Sequence, residues 1–169
     1  RTGRSPNDKF REDTPGIHDN IAWGKVNQPI SPEHFEALRA MAMNYLRQKK
    51  ELFRFDGYAG ADPDYRLKVS VITEEAWHSL FARTLFINAP EHELAGFEPD
   101  WTIINACNLK IDDPQKYGVR SNLAIIQSLE KRTVVIIGTR YAGEIKKSIF
   151  YAMNYDLPDM GVFPMHCSA

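Results

Sequence analysis

Between Ser31 and about Lys49, apolar residues return every three to four positions: Phe35, Leu38, Met41, Ala42, Tyr45 and Leu46. That period predicts a helix with one buried face. Ser31 can cap it, Pro32 suits its first turn, and Glu33 complements its dipole. The pattern then changes. Leu52-Phe53-Arg54-Phe55 reads as a strand ending in the turn-rich stretch Gly57–Pro63. Leu67, Val69 and Val71 alternate with Lys68 and Ser70, the signature of a half-buried strand. A second helix is expected after a Thr73 cap, carrying Ala76, Trp77, Leu80, Phe81 and Leu85. Residues 88–99 read as loop.

Three short apolar runs follow, at Trp101–Ile104, Leu123–Ile126 and Thr133–Ile137, each expected to be a buried strand. Gly138 ends the last of them. Residues 143–155 read as a third helix, with Ile145, Ile149, Phe150 and Met153 on one face, and Pro158 closes it. Val162–Met165 is a sixth strand-like run leading into His166. Residues 1–30, rich in Pro, Gly, Asp and Asn, read mostly as loop. Strands and helices mix without strict alternation. The expected fold class is α/β or α+β, a mixed β-sheet flanked by helices, with residues 1–169 forming one domain.

Composition narrows the function. The 169 residues carry a formal net charge of -1, with 43% hydrophobic and 25% charged residues. No nucleic-acid footprint is expected. No apolar run approaches the roughly 20 residues of a membrane span. The cytoplasm is the expected location. The two cysteines, Cys107 and Cys167, sit in no CxxC or CxxH pair; nothing supports a disulfide between them, and reduced thiols fit an intracellular enzyme equally well. Arg1 rather than Met opens the sequence, and Met165–Ala169 lacks a stop signal, so both ends are expected to lie inside a longer chain.

Candidate chemistry concentrates in Gly138-Thr139-Arg140-Tyr141-Ala142-Gly143-Glu144-Ile145-Lys146-Lys147. A buried strand runs into two glycines and a helix opens. The C-terminal ends of strands are where open α/β sheets bind ligands. Arg140, Tyr141, Lys146 and Lys147 would suit an anion; the plainer reading is a strand–loop–helix connection with solvated lysines. Arg4, between Gly3 and Ser5-Pro6, could clamp a carboxylate with its planar fork, or be a surface arginine. His166 has no HxxxH, HExxH or CxxC beside it, so zinc motifs fail there. Neither GxxxxGK[ST] nor GxGxxG occurs.

Taken as strings, these segments resemble ATP-dependent phosphoenolpyruvate carboxykinases. Arg4–Phe10 is similar to that family's RSPKDK segment, Gly60–Leu67 to GANPDTRL, and Glu93–Phe97 to ELAGF. Gly138–Lys147 resembles GTWYGGEMKK, and Met153–Tyr155 and Met165–Ala169 match MNY and MHCSA. The likeness spans the whole chain. It implies oxaloacetate plus ATP giving phosphoenolpyruvate, CO2 and ADP, in gluconeogenesis. It implies that Arg4 holds substrate carboxylates, that Tyr141 lies beside CO2 and substrate, and that Lys146 neighbours the phosphate bridge. Lys147 and His166 would be ligands of Mn2+ and would also approach the ATP phosphates, with Mg2+ arriving on ATP. Asn7, Arg140, Ala142 and Ser148 replace the family's Lys, Trp, Gly and Gly. A calcium-binding Lys-Asn-x-Phe segment of some members is here Arg83-Thr84-Leu85-Phe86, so calcium is not expected. The phosphate loop and a third metal ligand would lie beyond Ala169. The isolated chain is therefore expected to be inactive, with the remainder of its own polypeptide as its partner. The competing readings are a non-catalytic anion-binding module and a purely structural domain.

Overall fold

The computed structural model describes residues 2–166. Its elements run β1 (Lys9–Glu12), β2 (Gln28–Ile30), α1 (Pro32–Arg47), β3 (Phe53–Ala59), β4 (Leu67–Thr73), α2 (Ala76–Leu85), β5 (Ile87–Asn88), α3 (Glu91–Leu94), β6 (Trp101–Ala106), β7 (Ala124–Ser128), β8 (Thr133–Ile137) and α4 (Gly143–Asp156). The strands form one eight-stranded sheet in the order β2-β1-β7-β8-β6-β4-β3-β5. Strands β4, β6 and β8 are mutually parallel, and β1, β2 and β7 are parallel to one another. The two sets meet where β7 pairs antiparallel with β8, and β3 pairs antiparallel with β4 and β5. The mixed sheet flanked by helices is as expected.

Both faces of the sheet are covered. On one, Val69, Val71, Trp101, Ile103, Ile125, Val134 and Ile136 pack against Ala82 of α2 and Ile145, Ile149 and Ala152 of α4. On the other, Ile104, Ala106, Ala124, Ile126, Val135 and Ile137 pack under Phe35, Leu38, Ala42 and Leu46 of α1. Successive residues point to opposite faces, so β8 is apolar at each position from Val134 to Ile137 to fill both layers. Helix α1 starts as expected, with the Ser31 side chain accepting from the His34 N–H.

Several expectations need correction. The segment 1–30 contains two strands, and 88–99 contains the short α3. β3 continues through Gly57–Ala59, which read as turn. Residues Val162–Met165 form no strand. Thr73 is the last residue of β4, and Glu75 stands at the N-cap of α2. The buried side of α2 is His78, Ser79 and Ala82, while Trp77 and Leu80 face outward at 47% and 62% exposure. Cys107 is a free, buried thiol, and Cys167 lies outside the described residues.

Candidate functional site

The sheet topology gathers loops at one edge. Thr73, Ala106 and Ile137 are the C-terminal ends of the parallel trio. Ala124 pairs with Ile137, and Phe10 with Gln28 and Ile126, so β1, β2 and β7 begin at that same edge. The segments before β1 and β7 and after β4, β6 and β8 therefore converge. Gly138 turns the chain out of β8 at φ +76, and a Cβ there would meet Leu123 Cβ at 2.8 Å. Only glycine takes both the backbone angle and the close approach without strain.

Beside this edge lies a cleft of about 560 Å³. Among the described residues its walls carry Lys9, Arg11, Lys25 and Lys147 with Asn7 and Asn27, and no carboxylate. Such a lining attracts anions. Arg11 is buried at 6% exposure, stacks 3.9 Å from the centre of the Tyr151 ring and donates to the Phe10 carbonyl at 3.1 Å. Burial pulls its guanidinium below the ordinary value, opposed by Tyr151 and Glu144. Lys9 pairs with the fully buried Glu144 at 2.6 Å, joining β1 to the first turn of α4.

The candidate residues distribute as follows. Lys147 is half-buried in the cleft wall, and its side chain makes no hydrogen bond or ion pair with the other described residues. His166 is exposed, and its ring meets Phe150 edge-on at 5.5 Å. Phe150 lies one turn past Lys147 and lines the same cleft, so both candidate ligands share one neighbour. Lys146 is exposed and lines a second cleft of about 300 Å³, also bordered by Phe150. Arg4 is exposed in the loop before β1, two residues from Pro6, which helps wall the first cleft. Tyr141 is half-buried in the β8–α4 loop, and its N–H donates to the Thr139 hydroxyl at 3.2 Å. A Cβ on Gly143 would meet the Tyr141 ring at 2.5 Å. Gly143→Ala is accordingly expected to displace that ring while leaving thermal stability equal or up to about 1 kcal/mol higher, because alanine favours helix. Melting curves together with the Tyr141 ring resonances check this.

Sequence reading missed Asn7, Lys9 and Arg11. Lys9 and Arg11 flank the apolar Phe10 and share one face of β1, a signal of only three residues, and Asn7 precedes them in the turn closed by the Asp8 N–H to the Ser5 carbonyl.

A second polar cluster occupies the same edge. Glu74 Oε1 accepts from the Asn108 N–H at 2.8 Å, and Oε2 accepts from Tyr45 at 3.0 Å and pairs with Lys49 at 3.0 Å. Burial raises the Glu74 pKa, but these donors outweigh it and hold the carboxyl below its usual range. Arg140 donates to Asn108 Oδ1 at 2.9 and 2.6 Å and pairs with Glu75 at 3.2 Å. Burial pulls His78 below the ordinary histidine value, opposed by its hydrogen bond to the Arg140 backbone and by Glu75 and Glu74. Burial, then Glu74, pushes the Cys107 thiol up to about 12.

The family model of phosphoenolpyruvate carboxykinase matches residues 1–169. The chain belongs to the ATP-dependent phosphoenolpyruvate carboxykinase family. Similar relatives are the phosphoenolpyruvate carboxykinases (ATP) of Brevibacillus brevis and Geobacillus kaustophilus, each 55% identical over 168 residues. Phosphoenolpyruvate carboxykinase (ATP) 1 of Moorella thermoacetica is 52% identical over the same length. In each case the match covers 99% of this chain and 32% of the relative. The chain thus spans about a third of the length of the curated relatives it matches. No helix among the described residues is long and apolar enough to cross a membrane.

Proposed function

We propose that residues 1–169 form the N-terminal, substrate-binding domain of a phosphoenolpyruvate carboxykinase. It carries the oxaloacetate and CO2 half of a site that converts oxaloacetate and ATP to phosphoenolpyruvate, CO2 and ADP. The setting is gluconeogenesis in the cytoplasm. The observation that supports this most is the carboxylate-free cationic cleft, with Lys147 in its wall, at the edge where the parallel strands end.

Each chain residue has a task in this reading. Arg4 clamps the substrate carboxylates with two parallel N–H donors. Tyr141 borders the substrate and the departing CO2. Lys146 neutralises charge on the transferred phosphate, as phosphoryl transfer requires. Lys147 and His166 would hold Mn2+. The fit rests on two nitrogen donors that share Phe150 and on a Lys147 amine unpaired among the described residues. To ligate, Lys147 must be neutral and His166 must offer a ring lone pair. When bound, Mn2+ supplies charge stabilisation for the enolate oxygen left by decarboxylation. ATP brings Mg2+ with it and completes its contacts on the rest of the polypeptide.

The test uses a full-length polypeptide carrying this chain. Mn2+ titration followed by electron paramagnetic resonance is expected to show affinity falling about 10-fold or more in Lys147→Arg and in His166→Gln. Arg4→Lys is expected to leave Mn2+ binding intact and to raise KM for oxaloacetate, since lysine keeps the charge and loses the fork. Undiminished Mn2+ affinity in Lys147→Arg would make Lys147 a phosphate-facing charge instead.

A further inference from the structure

The cluster around Arg140 holds a feature the cationic cleft does not use. Glu75, His78 and Cys107 each bring one ligand atom within 4.8 Å of the others. They come from separate places: Glu75 caps α2, His78 lies one turn along that helix, and Cys107 follows the end of β6. His78 is fully buried. Its Nε2 lies 3.1 Å from the Arg140 carbonyl, which can only accept, so Nε2 carries the proton. In the neutral ring, Nδ1 is then the nitrogen that offers a lone pair. That atom has no hydrogen-bond partner, and it stands 4.0 Å from Glu75 Oε2. A buried acceptor left unpaired costs stability unless something occupies it.

We propose that Glu75, His78 and Cys107 form a binding site for a thiophilic divalent cation of the zinc class, distinct from the Lys147–His166 pair. Thiolate, imidazole and carboxylate are the donors zinc takes, and three protein ligands leave a fourth position for water. Ligand atoms around tetrahedral zinc lie roughly 3.3–3.8 Å apart, so the cluster closes by about 1 Å on binding. Supporting contacts are already in place. The Nε2–H to carbonyl bond fixes the His78 tautomer, as second-shell partners of metal-bound histidines do. Arg140 and Asn108 hold Glu75 Oε1, at 3.2 and 2.9 Å, leaving Oε2 toward His78. The Cys107 thiol points at Glu74 Oε1, 3.6 Å away. On binding, the S–H bond breaks, its proton leaves through Glu74 to solvent, and the sulfur electron pair forms the bond to the metal.

The site would tie α2 to the end of β6 and, through the Arg140 carbonyl, to the loop that carries Tyr141. Part of the signal was readable: Glu75-x-x-His78 is a one-turn ligand spacing on a helix. Cys107 joins it only through the parallel pairing of β4 with β6.

Co2+ is the first probe, because thiolate ligation gives a near-ultraviolet charge-transfer band. The intact metal-free protein is expected to bind one equivalent of Co2+ with that band, and Zn2+ is expected to displace it. Cys107→Ser should abolish the band, and Cys167→Ser should keep it. Glu75→Gln and His78→Gln should each weaken Zn2+ binding about 10-fold or more. Cys107→Ser should leave the Mn2+ resonance titration unchanged, which separates this site from the proposed catalytic one. Absence of the band in the unaltered protein, or its survival in Cys107→Ser, overturns the proposal. Circular dichroism of Cys107→Ser confirms that a lost band is not lost folding.

Discussion

Trp101→Ala is expected to destabilise the protein by roughly 3–5 kcal/mol, the usual cost of truncating a buried large aromatic. For a chain of this length that lowers the melting temperature by roughly 6–20 °C. Trp101 opens β6 in the middle of the sheet and is fully buried in the layer beneath α4. Its indole N–H donates to Asp156 Oδ2 at 3.1 Å, and Arg132 reaches the same oxygen at 3.3 Å. Alanine leaves both a cavity and a carboxylate with one partner fewer. Trp101→Phe keeps one aromatic ring and loses the N–H together with the rest of the indole. It should therefore cost less than alanine, with the lost hydrogen bond to a charged group contributing about 1.5–3 kcal/mol. Equal losses in the two variants, measured by urea unfolding, would show that the hydrogen bond and not the packing dominates.

The second large effect is expected at Lys9. Its ammonium sits 2.6 Å from Glu144, whose side chain is fully buried in the first turn of α4. Lys9→Met strands a buried carboxylate, and breaking such a pair from one side costs about 3–5 kcal/mol. The lower end is expected here, because the α4 N-terminus favours negative charge and Arg11 also attracts Glu144. Adding Glu144→Gln should restore most of the loss, since no unpaired charge then remains. Chemical denaturation of the single and double variants checks this. If the double variant is no more stable than Lys9→Met, Lys9 acts through packing. Lys9 also lines the cationic cleft, so Lys9→Met should weaken anion binding even in the rescued background.

These effects bear on why some elements were legible and others not. Strands β6, β7 and β8 announce themselves because burial on both faces demands consecutive apolar residues, Ile103-Ile104, Ala124-Ile125-Ile126 and Val134–Ile137. Helix α1 does so through its period and its Ser31 cap. Strand β1 reads Lys-Phe-Arg-Glu, three charges in four residues, which resembles a surface turn. It is a strand because distant partners neutralise those charges: Glu144 for Lys9, the Tyr151 ring for Arg11, and Lys131 for Glu12. Helix α2 misled for the opposite reason. Its most apolar side, with Trp77 and Leu80, is the exposed one, and the helix buries a histidine, a serine and an alanine.

The candidate site divides in the same way. By itself the sequence determined the family, through strings that span the whole chain, and with it the residues Arg4, Tyr141, Lys146, Lys147 and His166 as candidates. It also determined that a glycine-bearing turn after a buried strand leads into a lysine-bearing helix. Tertiary structure alone decided that Lys146 and Lys147 line different clefts, since adjacent helical residues are offset by about a quarter turn. It alone decided that Asn7, Lys9 and Arg11 join Lys147 in one cationic wall, and that Cys107 comes to Glu75 and His78. Each of those meetings depends on which strand lies beside which. Hydrogen-bonded strand order is a long-range choice, made by burying both faces of the sheet at once, and no local pattern along the chain encodes it.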